Sequence, residues 1–160
     1  MTKWIDEYAN SLGEAANSDN VQRQHDLLRD RLIQQHGPKF FAKLTDALRA
    51  QAAELDERVG ASLQGITATD DRNPASILVS SGDGSVSLRC TSNYPARTML
   101  AVTSRANASA GARERTFWMT VNEHTGQISV RSDPDPDAYE DAIPLATKLL
   151  REAFTGKWSD

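Results

Sequence analysis

Apolar residues recur along this chain with two different periods, and the change from one to the other near residue 77 divides it. Trp4, Ile5, Tyr8 and Leu12 form one stripe at helical spacing, which predicts a first helix over residues 2–16. Asn17-Ser18-Asp19-Asn20 reads as a break, because these side chains compete for backbone hydrogen bonds and serve as N-caps. A second helix is predicted from Val21 to His36, with Leu28 and Leu32 on one face and Leu27 beside them. Gly37-Pro38 then predicts a break or a sharp kink, since proline lacks an N–H and disfavours a helical residue before it. From Pro38 to about Val59, the residues Phe41, Leu44, Leu48, Leu55 and Val59 form a core-facing seam.

From Ile77 the period is two. Val86, Leu88 and Cys90 alternate with polar residues, as do Phe117, Met119 and Val121, and Ile128 and Val130. Residues 98–104 form a further strand of ambiguous facing, with Leu100 and Val102 the better inward pair. Short turn signals at Ser81-Gly82-Asp83-Gly84, Asn93-Tyr94-Pro95, residues 106–112 and His124-Thr125-Gly126 join the strands into an antiparallel meander. Asp133-Pro134-Asp135-Pro136-Asp137 reads as a stiff acidic linker. Beyond it, Leu145, Leu149, Leu150 and Phe154 mark a last helix that Gly156 stops.

The strands have one apolar and one polar face, so helices should cover only the apolar one. The expected fold is therefore α+β: N-terminal helices, a five-stranded antiparallel meander and a C-terminal helix in a two-layer sandwich with helices on one face. It forms a single domain over 1–160, with a helical part at 1–66, a sheet at 76–131 and the C-terminal helix at 138–156.

Charge modifies this picture. The chain of 160 residues has a net charge of −4, but unevenly spread. Residues 1–72 hold 9 basic and 12 acidic groups, residues 73–131 hold 6 and 3, and residues 132–160 hold 3 and 7. A basic middle lies between acidic ends, and the acidic total disfavours general nucleic-acid binding. One cysteine excludes an intramolecular disulfide and any multi-thiolate metal site. No apolar run approaches membrane-span or signal-peptide length, so the expectation is a soluble, cytoplasmic protein.

The candidate site is the polar sheet face. On the facing assigned above it carries Arg89, Arg97, Arg105 and Arg131, with Trp118 and Met99 among serines and threonines, and no Asp or Glu at those strand positions. Arginine and tryptophan are enriched at binding hot spots, and uncompensated arginines suit anionic groups. The plain alternatives are an ordinary solvated face with Trp118 on arginine stems, or arginines neutralised by the acidic 133–141 segment folding back.

Other patterns carry less. An EF-hand counted from Asp133 would place Ala138 where glycine is needed and Pro144 where glutamate is needed. His25, His36 and His124 lack ligand spacing and read as surface or capping residues. Cys90 reads as inert packing. Gly82-Asp83-Gly84 precedes a strand and so is a turn, not a phosphate cradle, and Asn107-Ala108-Ser109 matches a sequon without a secretion signal.

No catalytic constellation, metal site or cofactor is thus expected. The reading is a non-enzymatic interaction or assembly module meeting an acidic protein partner, or a second copy of itself, through the arginine-bearing face. The first helix, with Trp4 and Tyr8, is a candidate for self-association. The alternative is a small-molecule binding domain or cryptic enzyme with a pocket between helices and sheet. A membrane-surface adaptor is disfavoured by the negative charge.

Overall fold

The computed structural model describes residues 3–72, 75–106, 111–132 and 137–157. The acidic linker, apart from Asp137, and the sequon lie outside them.

The three expected N-terminal helices are one. Helix α1 spans Lys3–Leu63, 61 residues, or about 90 Å at ~1.5 Å per residue. It passes through Asn17–Asn20 without interruption, because weak helix formers cost only tenths of a kcal/mol each and do not end a helix flanked by good ones. It passes through Pro38 for a different reason. Gln34 and Pro38 are both exposed, so the Gln34 carbonyl that loses its donor faces water. Gly37 is buried and lies against the Tyr94 ring, where an added Cβ would come within 2.8 Å of Cδ1. The helix ends where Gln64 and Gly65 both adopt positive φ, and the Asp56 carboxylate accepts the Ile66 N–H at 2.8 Å.

The sheet has seven antiparallel strands, not five, in sequential order: β1 (Ile66–Arg72), β2 (Ala75–Ser81), β3 (Val86–Asn93), β4 (Thr98–Arg105), β5 (Ala112–Val121), β6 (Ile128–Ser132) and β7 (Ala138–Tyr139). The two additional strands lie at the edges. In β1 the charges Asp70, Asp71 and Arg72 hide the strand pattern, and such charges also protect an edge from further pairing. Arg49 of α1 holds Asp70 in an ion pair.

One row across the sheet, Ile77–Cys90–Ala101–Arg115, shows the inward side. All four residues are buried, as are Ser92, Met99, Phe117 and Ser132 in a neighbouring row. The facing of β4 is therefore opposite to expectation: Met99, Ala101 and Thr103 point inward, while Leu100 and Val102 are half-buried on the outer side. The register decides this, since Cys90 pairs with Ala101 and Leu88 with Thr103, and the side-chain period of two leaves no intermediate choice.

The inward side joins one core cluster with Ile33, Phe40, Phe41, Leu44 and Leu48 of α1. It also takes Leu145, Ala146, Leu149 and Leu150 of helix α2 (Ala142–Thr155). Helix α2 is capped at both ends. Asp141 accepts the Ile143 N–H at 3.0 Å, and Gly156, at φ 70°, donates to the Glu152 carbonyl at 2.9 Å. Ala138 and Tyr139, placed in this helix by sequence, form β7 instead.

An ion pair crosses this interior. Arg115 Nη1 lies 3.2 Å from Glu152 Oε1, with side-chain exposures of 8% and 5%. Burial makes each charge depend on the other, because removing one partner leaves a charge in low dielectric. Glu152→Ala is expected to destabilise the protein by about 3–5 kcal/mol, and Arg115→Met with Glu152→Leu to recover most of that loss. Urea midpoints of the three proteins check this, and a single variant close to wild type would contradict it.

Candidate interaction surface

The reversed facing of β4 redistributes the expected site. Arg97 and Arg105 leave the outer sheet face with Met99, and each has a structural partner. Arg97 closes the turn between β3 and β4 at φ 56°, a left-handed conformation costing about 1–2 kcal/mol for a residue with a side chain. Its carbonyl accepts the Met119 N–H at 2.8 Å, and its guanidinium lies 2.6 Å from the Asp30 carboxylate of α1. Arg105 reaches under α2 and donates to the carbonyls of Ala153 and Phe154 at 2.8 and 2.7 Å. That places a cation at the negative end of the helix dipole.

Arg89, Trp118 and Arg131 do lie on the outer face. One outer row runs Thr69–Leu78–Arg89–Val102–Glu114. The next holds Thr91–Leu100–Thr116, and the one beyond it runs Thr98–Trp118–Arg131–Ala138. Trp118 is 50% exposed and directly opposite Arg131, a spacing at which an aromatic and a long side chain touch. Arg89 and Arg131 are exposed and make no ion pair among the described residues. Leu78, Leu100 and Val102 are half-buried there and stand apart from the core cluster. The face is not free of acid: Glu114 sits on the Arg89 row and Asp71 lies on the outer side of β1. It is thus a mixed surface, with an apolar centre at Leu78, Leu100 and Val102, an aromatic at Trp118, and two arginines.

The interior between helices and sheet is filled by Leu44, Leu88, Phe117 and Leu145, each essentially without exposure. An open groove of about 660 Å³ lies instead between the two helices, lined by Gln51, Leu55, Arg58, Thr147, Leu150 and Phe154. No group of three or more His, Cys, Asp or Glu side chains among the described residues is placed to hold a metal. No helix among them is long and apolar enough to cross a membrane. Cys90 is buried at the centre of β3, and burial pushes its thiol up to about 12.

The histidines serve the helix–sheet junction. His25 Nδ1 and Arg29 Nε of α1 meet Glu123 at 3.3 and 2.9 Å, and His36 packs against the glycine turn at Gly126. The hydrogen bond from Arg29, then the charge of His25, holds the Glu123 carboxyl below its usual value of 4.5. A depressed carboxylate pKa contributes stability above the usual value and loses it as pH falls through the lowered one. The melting-temperature gap between wild type and Glu123→Gln should therefore be open at about pH 5 and close as pH falls below it. Thermal melts across that range check this, and a gap that widens in acid would contradict it.

The Cys90 thiol should resist a disulfide reagent in native buffer and react once the protein is unfolded, read by absorbance; immediate native reaction would show an open core. Compared with family models, with curated proteins and with solved structures, this chain matches none of them.

Proposed function

We propose that this protein is a non-enzymatic interaction or assembly module. Its helices occupy one face of the sheet, and the outer face receives an acidic protein surface. The carrying observation is Trp118, half exposed beside Arg131, on the same face as Arg89 and the half-buried Leu78, Leu100 and Val102. An ordinary solvated face would spread its apolar groups among polar ones. Here Leu100 and Val102 are same-face neighbours on β4, and Leu78 lies across Arg89 from Val102. Arginines over an apolar, aromatic patch suit a partner that brings carboxylates and apolar side chains together, because such a contact desolvates both.

Trp118 is the expected anchor. Its replacement by alanine should weaken binding by about 2 kcal/mol, roughly 30-fold, with reversal of Arg89 or Arg131 costing less because both are exposed. A photo-crosslinking residue at Thr116, on the same face as Trp118, tests the site. Cross-linked partner peptides should be rich in Asp and Glu, and Arg89→Glu with Arg131→Glu should abolish them while leaving the melting temperature unchanged. Cross-linking that survives the reversal would refute the site.

A further inference from the structure

The first third of α1 has no support from its own domain. Every described residue before Asp26 is exposed, and the first tertiary contacts of the helix are His25 and Arg29 on Glu123, then Asp26 and Asp30 on Arg97. This arm nevertheless shows large apolar side chains to water: Trp4 is 64% exposed, Ile5 48%, Tyr8 61% and Leu12 55%. Four large apolar side chains in one stripe, opposite a polar face, have the form of a seam for a partner helix.

The direction of the row identifies what fits. Eighteen residues make five full turns, so Tyr8 lies in line with Asp26 and Leu12 with Asp30. Asp26 and Asp30 face the domain through Arg97, and three residues on Ile33 is buried in the core. The exposed row therefore points to the same side of α1 as the sheet. A partner helix laid on it in parallel would run into that domain. An antiparallel partner carries its own domain away from it.

The side chains fix the register. The row continues from Leu12 to Ala15 and Ala16, so its large residues are at one end and its small ones at the other. Turning a second copy end to end sets Trp4 over Ala16 and Ile5 over Ala15. Burying Trp4, Ile5, Tyr8 and Leu12 from both copies removes about 1,000 Å², the lower bound of a stable interface. In this register Lys3 of the second copy lies opposite Asn17, about 13 Å before Asp26.

We propose that two copies of this chain pair through residues 3–17 as an antiparallel helix dimer, with Tyr8 of each copy against Leu12 of the other. The assembly is independent of the outer sheet face, and its failure would leave that reading standing.

The test is solution mass by light scattering at submillimolar protein. Wild type should run at twice 17.6 kDa. Tyr8→Glu with Leu12→Glu should be monomeric with an unchanged melting temperature, because neither residue touches the core. Gly13 has open space where a Cβ would go and lies off the row. Gly13→Ala should tighten the dimer several-fold by favouring the helix without touching the interface. Spin labels on Asn20→Cys should sit about 30 Å apart, and labels on Ala9→Cys much closer, since Ala9 flanks the row and the two-fold axis passes near residue 10. A monomeric wild type, a dimer that survives the double variant, or equal label distances at the two positions would overturn the proposal. So would loss of the dimer in Trp118→Ala, which would show the arm docking on a neighbour's sheet instead.

Discussion

The structure depends on the packing of one helical row onto one face of the sheet. Ile33, Phe40, Phe41, Leu44, Leu48 and Ala52 recur at helical spacing along α1, and all are buried. A sheet can answer such a row only with alternate residues of each strand, so every strand must present the matching half of its sequence. That demand decides which residues of β4 face inward, which arginines reach water and which are drawn into the interior. It is a packing requirement imposed through backbone register, and no single strand sets it alone.

The arginines show the consequence. Arg97, Arg105 and Arg115 tie the sheet to the helices through a carboxylate, two helix-end carbonyls and a buried glutamate respectively. Each partner lies far away in sequence. Arg89 and Arg131 differ from the strand residues Arg105 and Arg115 in facing, and that facing leaves them exposed. The basic middle of the chain is thus divided between holding the domain together and furnishing its surface.

The long helix joins two environments. Its second half is clamped between sheet and α2, while its first half projects with the same side still apolar. Because a helix keeps its azimuth over many turns, clamping the second half fixes the direction in which the first presents its row. A flexible linker in place of residues 17–20 would lose that information. The unbroken helix through Asn17–Asn20 and Pro38 therefore fixes the direction of the exposed row relative to the domain.

The chain's own pattern determined the α+β class, the antiparallel order, the C-terminal helix and its glycine stop at Gly156, because these rest on periodicity and on local backbone chemistry. The inward facing of Arg115 and Glu152 could also have been read, though not their pairing. Arg115 shares parity with Phe117 and Met119, and Glu152 lies three residues after Leu149 on the apolar side of α2. Edge strand β1 could have been read from Ile66 and Ala68, had its charges not obscured the alternation. Continuity through Asn17–Asn20 is local too, because its flanks outweigh a weak stretch. Three features were decided only by tertiary structure. The helix survives Pro38 because the orphaned carbonyl faces water. The facing of β4 was fixed by pairing with β3, since both parities of residues 98–104 carry apolar side chains. The fate of Arg97 and Arg105 followed from that parity, because a one-residue shift in facing moves every side chain of a strand to the other side of the sheet.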